Sequence, residues 1–266
     1  MDRGRRRFLK AATAAGVGAA LIGAVQPLTG TALSPPADTR DKRGVPNRKW
    51  VMVIDLERCD GCKKCTEACN AEHFVPPGQE WIKVFDEQTS PIGGEIYLPR
   101  PCMQCENPPC VKVCPVDATY RRDDGVVLID HDRCIGCRFC MAACPYNARS
   151  FNWSEPPHPP GEQFVKYSPE YPVPHRTGTV EKCMFCAHRV AMGRLPACVE
   201  ACTKEGMKAI YFGDLNEDVV TNGSETVKLS ELIESRHGNR YKEELGTHPR
   251  VFYLPAGPSH VHRRRA

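Results

Sequence analysis

The chain has 266 residues, enough for one large domain or two small ones, and a formal net charge of +4 that makes no case for nucleic acid. Its 24 prolines, about twice the usual share, argue against a molecule of long regular helices and predict many irregular connections. The outlier is cysteine, 16 in all, falling in four groups of four.

Residues 1–32 read as a targeting segment rather than as fold. Arg5-Arg6 followed by Phe8-Leu9-Lys10 is close to the twin-arginine export pattern, and an apolar run rich in Ala and Gly follows from Ala11 to Leu28. Gly30-Thr31-Ala32 offers small residues for cleavage. The alternative is a retained N-terminal anchor, because the run has about the length of a short membrane span. Residues 33–48, with Pro35, Pro36 and Pro46 among mixed charges, read as a flexible linker.

Residues 50–56 are apolar and β-branched and predict a strand. It leads into the first cysteine group, Cys59, Cys62, Cys65 and Cys69. An insertion over 70–101 follows, in which 81–85 and 95–98, separated by Pro91 and Gly93-Gly94, predict a β-hairpin. The second group is Cys102, Cys105, Cys110 and Cys114, with Glu106-Asn107-Pro108-Pro109 lengthening its middle gap. Residues 118–120 and 126–129 predict two short strands about an Asp123-Asp124-Gly125 turn.

The third group, Cys134, Cys137, Cys140 and Cys144 followed by Pro145, has the bacterial ferredoxin spacing for an iron–sulfur cube. A tight loop with cysteines three apart wraps three corners of a cube, and in such runs the fourth thiolate ligates the other cluster of a pair. Gly136 lets the loop turn, and Pro145 cannot continue a helix. The first group has the same spacing, and its surroundings repeat. Val51, Ile54, Asp55, Arg58 and Gly61 recur at equal offsets as Val126, Ile129, Asp130, Arg133 and Gly136, the mark of a duplicated unit.

Residues 151–180 are rich in proline and aromatics without helical or strand period, and predict a covering loop on the surface or a partner contact. The fourth group, Cys183, Cys186, Cys198 and Cys202, has a long central gap. Residues 208–212 predict a strand, 229–235 a short amphipathic helix, and 250–254 a last strand. Arg263-Arg264-Arg265 reads as a solvated tail.

Disulfides and zinc are the rivals to iron. The spacing within each group is too regular for general cross-linking, and three cysteines in one short loop do not suit two knuckles round a tetrahedral ion. Export of an already folded, loaded protein reconciles the thiols with an oxidising compartment, because thiolates bonded to iron are not free to pair. Lys63, Lys64 and Arg138 flank ligands and read as a solvated face, with raising the potential of an anionic cluster as the alternative. His73, His131, His175 and His188 have no ligand spacing, which points to structural or surface roles. Trp81 and Trp153 read as packing or interface anchors. No nucleophile–base pair or phosphate loop stands out, so no catalytic residue is assigned.

Two stretches carry a specific resemblance: Cys102-Met-Gln-Cys-Glu-Asn-Pro-Pro-Cys110-Val-Lys-Val-Cys-Pro115 and Arg133-Cys-Ile-Gly-Cys-Arg-Phe-Cys-Met-Ala-Ala-Cys-Pro-Tyr146. With Phe151-Asn-Trp153, Lys182-Cys-Met-Phe-Cys186 and Phe212-Gly-Asp-Leu-Asn216, the region 49–255 resembles the four-cluster electron-transfer subunits of complex iron–sulfur molybdoenzymes. These include the dimethyl sulfoxide, polysulfide and tetrathionate reductase type and the sulfite-reductase-linked membrane complex.

The resemblance implies four 4Fe–4S clusters and their wiring. Cys59, Cys62 and Cys65 would share a cube with Cys202, and Cys183, Cys186 and Cys198 one with Cys69. Cys102, Cys105 and Cys110 would take Cys144, and Cys134, Cys137 and Cys140 would take Cys114. It implies an α+β fold of two ferredoxin-like dicluster halves with a β-hairpin insertion and a C-terminal extension. The expected division is signal 1–32, linker 33–48, first motif with hairpin 49–101, and a central dicluster half 102–150. Covering loop and fourth motif take 151–215, and the extension 216–266. The implied partners are a molybdopterin-containing catalytic subunit and a quinone-handling integral membrane subunit of the polysulfide reductase type or a cytochrome, with the chain itself in the periplasm and held at the membrane through its partners. A free-standing periplasmic polyferredoxin is the alternative.

Overall fold

The computed structural model describes residues 40–87, 96–158 and 160–256. The signal at 1–32, the linker before residue 40, the turn at Pro91 and Gly93-Gly94, and Arg263-Arg264-Arg265 lie outside them.

The first strand, β1 (Trp50–Asp55), is buried over almost its whole length because it is apolar on both faces. Its alternate side chains serve two cores, as the two-residue strand period dictates. Met52 and Ile54 face a core built round cysteines, while Val51 and Val53 face a second core with Tyr211, Leu229 and Leu254. After the first cysteine loop comes helix α1 (Lys64–His73), then the antiparallel pair β2 (Lys83–Glu87) and β3 (Ile96–Arg100). The second group leads into the short helix α2 (Pro109–Lys112) and the antiparallel pair β4 (Thr119–Arg121) and β5 (Val127–Ile129). The third leads into helix α3 (Phe139–Ala142), and β6 (Ser150–Phe151) follows.

Residues 152–179 start and end on one ladder, because β6 pairs antiparallel with β7 (Val180–Glu181). This stretch lacks long regular structure, as expected, but it does not lie only on the surface. Glu162, Val173 and His175 are buried within it. Asn152 donates to the Glu181 carboxylate at 2.8 Å, and the His175 backbone N–H donates to Glu162 at 3.0 Å. Such side-chain partners satisfy an irregular backbone that turns inward.

Cys183 and Cys186 precede helix α4 (Ala187–Ala191), Cys198 and Cys202 lie on α5 (Ala197–Lys204), and α5 packs against α1. Strands β8 (Ile210–Asp214), β9 (Val219–Thr221) and β10 (Thr226–Lys228) lead to α6 (Leu229–Ser235), β11 (Asn239–Arg240) and β12 (Val251–Leu254). One six-stranded sheet in the order β10-β9-β8-β1-β12-β11 joins both ends of the described chain. Met52 of β1 lies opposite Phe212 in the antiparallel neighbour β8 and opposite Val251 in the parallel neighbour β12. Helix α6 covers one face of this sheet through Leu229 and Leu232, and the cysteine-lined core occupies the other. Among the described residues no helix is long and apolar enough to cross a membrane.

Candidate metal centres

The two loops of the sequence repeat turn alike. Gly61 (φ +74°) and Gly136 (φ +69°) take left-handed backbone, and so do Lys63 (φ 59°) and Arg138 (φ 62°) two residues on. A Cβ at Gly61 would overlap the Tyr97 ring, and one at Gly136 would overlap the Gly178 carbonyl. Glycine is needed there for conformation and for space. The turn sends Cys59 and Cys62, or Cys134 and Cys137, round a hollow that the following helix closes with Cys65 or Cys140.

Sixteen thiols gather in four quartets. Cys59, Cys62, Cys65 and Cys202 line a space of about 330 Å³ walled by Val84, Pro99, Met207 and Ile210. Cys102, Cys105, Cys110 and Cys144 line one of about 330 Å³, and Cys114, Cys134, Cys137 and Cys140 one of about 310 Å³. Cys69, Cys183, Cys186 and Cys198 are all buried, and each of Cys69 and Cys198 feels the thiols of Cys183 and Cys186. We call these, in the order 59, 69, 102 and 114 of their lowest-numbered members, the first to fourth quartets.

The quartets are interlocked by helix geometry. Residues four apart on a helix stand one turn apart on the same face. Thus α1 gives Cys65 to the first quartet and Cys69 to the second, while α5 gives Cys198 to the second and Cys202 to the first. Cys110 of α2 and Cys140 of α3 likewise part from Cys114 and Cys144, four residues on and just past each helix, between the third and fourth quartets. The four also adjoin one another in turn. Cys69 feels Cys65 of the first quartet, Cys183 feels Cys102 of the third, and Cys140 of the fourth feels Cys110 of the third.

Burial pushes the thiols of Cys59, Cys65, Cys105 and Cys186 up to about 12, and that of Cys183 up to about 11. In such surroundings a thiolate persists only with a metal to hold it. Backbone N–H groups already point at sulfur: Ala118 donates to Cys114 Sγ and Ala209 to Cys202 Sγ, both at 3.2 Å. Every one of the sixteen is free of disulfide. Among the described residues no three His, Cys, Asp or Glu side chains converge closely enough for a single metal ion. Thiols spread round three hollows of nearly equal size fit one recurring polynuclear occupant, a cube with an iron at each corner.

Three profiles of known families match these segments: a 4Fe-4S binding domain at residues 50–71 and two 4Fe-4S dicluster domains at 94–157 and 126–203. A selenate reductase subunit of Mesobacillus selenatarsenatis is 43% identical over 230 residues, covering 80% of this chain and 74% of its own length. A tetrathionate reductase subunit of Salmonella typhimurium is 36% identical over 263 residues, covering 96% of this chain and 89% of its own. The chain belongs to the iron–sulfur subunit family of molybdopterin oxidoreductase complexes. A further relative, the iron-sulfur cluster-binding subunit of menaquinone reductase from Nitratidesulfovibrio vulgaris, is 40% identical over 237 residues, 77% of this chain and 88% of its own. Like the family, this iron–sulfur subunit has ferredoxin-like 4Fe-4S dicluster domains of mixed helix and strand.

The other residues singled out in the sequence divide. Lys63 and Arg138 are exposed, and Lys64 pairs with Glu67 at 2.8 Å. Trp81 is buried and packs on His73 at 5.1 Å between ring centroids, while Trp153 is exposed. Buried His131 has the Tyr167 ring stacked on it at 5.9 Å. His188 bonds Glu72 at 2.9 Å.

Sequence reasoning named His73 only for a structural or surface role and missed two more groups beside the thiols. His73 Nε2 lies 3.2 Å from Cys186 Sγ, buried Lys182 donates to the Cys183 carbonyl at 2.9 Å, and Arg149 is buried among thiols. For Lys182 the signal was its place next to Cys183, whereas Arg149 and His73 carry no local signal at all.

Proposed function

We propose that the chain relays single electrons along a row of four 4Fe–4S clusters, one per quartet. The partners at its ends are a molybdopterin-containing catalytic subunit and a quinone-handling membrane subunit or a cytochrome. The observation that carries this is the row itself: four interlocked thiol quartets, each beside the next, in a chain of this family. The fourth thiol of each cysteine group crosses to the paired quartet, so the two dicluster halves are the first with the second quartet and the third with the fourth. The β2–β3 hairpin is an insertion into this plan, and the β9–β12 region is an extension that completes the sheet.

Each bound cube supplies reversible one-electron chemistry. The protein's own residues do the rest. Sixteen thiolates hold the clusters at fixed spacing. Met52, Ile54, Phe185 and Val199 exclude water from the core they share with the ligands. N–H groups aimed at sulfur favour the more negative, reduced state. At the fourth quartet, Ile135, Phe139 and Trp153 are 64%, 59% and 69% exposed, which suits burial in a complex better than a free shuttle. The quinone assignment draws on the relative named menaquinone reductase. Export by the twin-arginine route would place the loaded protein in the periplasm.

Iron and acid-labile sulfide per chain, with EPR of the dithionite-reduced protein, test the relay. About sixteen irons with interacting 4Fe–4S signals are expected. Zinc with no reducible signal would sink it. Co-purification of the tagged chain with a molybdopterin subunit tests the partnership.

A further inference from the structure

Four arginines of the described chain are buried, and three have carboxylate partners. Arg122 pairs with Asp124, Arg189 with Glu72 at 2.7 Å and Glu200 at 2.6 Å, and Arg250 with Glu106 at 3.4 Å. Arg149 is the exception. It is 3% exposed, and among the described residues no carboxylate pairs with it. Its Nη1 makes one long bond to Thr119 Oγ1 at 3.4 Å, and its buried Nη2 has no hydrogen-bond partner. What surrounds it is sulfur: it lines the hollow of the third quartet with Cys102, Cys105, Cys110 and Cys144, and Cys140 of the fourth lies beside it.

A guanidinium does not give up its proton in a protein, and an uncompensated buried charge is strongly destabilising. The compensation must therefore come from the thiolate-ligated centres on either side.

We propose that Arg149 is a shared buried counter-ion of the third and fourth clusters, a positioning residue that raises both of their reduction potentials. The inference rests on the four-cluster reading above. A cube held by four thiolates is anionic and gains one negative charge when an electron arrives from its neighbour, with no proton taken up. A fixed cation between two such cubes stabilises the reduced form of each. It also keeps the electron from being driven off the third and fourth sites by mutual repulsion.

The test compares wild-type protein with Arg149→Gln and Arg149→Lys by EPR-monitored redox titration, with iron counted in every sample. In the glutamine variant two of the four reduction steps are expected to move to lower potential by about tenfold in equilibrium constant, or 59 mV for a one-electron centre. The other two should stay, and lysine should restore most of the loss. A fully loaded glutamine variant with all four steps unmoved overturns the proposal. So does a loaded lysine variant shifted as far as glutamine. Loss of iron from glutamine but not from lysine supports the charge requirement, whereas loss from both overturns it in favour of a shape requirement. Wild-type protein lacking about sixteen irons would instead defeat the four-cluster reading itself.

Discussion

At the scale of single residues, His175 shows how a polar group is made safe inside this core. Its Nδ1 donates to the Glu181 carboxylate at 2.6 Å and its Nε2 to the His73 carbonyl at 2.8 Å. Both partners are acceptors, so the ring that satisfies both is the protonated one. Burial opposes that charge, but the bond to Glu181 outweighs it, helped by Glu162, and the pKa is held above the ordinary histidine value. Trp81 packs edge-on at 6.0 Å and keeps water away. A raised folded-state pKa means the stabilisation is fully present below the unfolded value near 6.5 and is lost as pH rises through the folded value. His175→Gln should therefore cost about 2 kcal/mol at pH 5.5, the scale of a hydrogen bond to a charged group, and distinctly less at pH 9. Urea melts of the two proteins at both pH values, followed by visible absorbance, check this. An equal cost at both would show that shape, not charge, is what His175 supplies.

At the scale of elements, the cysteine-bearing helices do two jobs at once. Because α1 and α5 each place thiols one turn apart, each helix is shared between two quartets. Cys202→Ser should remove the first cluster and lower iron from about sixteen to about twelve per chain, while the remaining three signals persist. Iron analysis with EPR reads this directly, and loss of all sixteen would show that the pairs fold only as a unit. The spacing that makes this sharing work is local, which is why the groups of four were legible in the sequence. Helix α6 was legible for a similar reason, since one amphipathic turn repeats within seven residues. The strand expected from 208 starts at Ile210, because Lys208 takes left-handed backbone (φ 53°) and its N–H turns back to the Cys202 carbonyl. The parallel pairing of β1 with β12 was not legible: nothing in either strand records a neighbour from the far end of the chain. Arg149 was hidden in the same way, since an arginine between Ala148 and Ser150 reads as surface until the fold surrounds it with thiols.

At the scale of the whole molecule, the row of quartets has two ends, and they differ. The first quartet ends at Cys62, which is exposed beside Asp60 and Lys63. The fourth ends under Ile135 and Phe139, with Arg138 lying over the Trp153 ring at 4.5 Å and the Phe151 ring at 5.3 Å. Large apolar side chains and an arginine grouped at one place are the composition of an interface centre. If this end delivers electrons to a partner, the double variant Phe139→Ser, Trp153→Ser should keep its iron and all four potentials, because neither side chain is a ligand. It should nevertheless weaken the complex by about 2 kcal/mol or more, the cost of truncating a buried aromatic anchor, which is over tenfold in Kd. Pull-down of the partner subunits on the tagged chain, beside quinone-linked turnover of the intact complex, reads the two quantities separately. Loss of turnover together with binding places the docking contact at the fourth quartet. Unchanged binding and turnover would move the contact to another face, and lost turnover with binding intact would mean that these residues align the electron path without holding the partner.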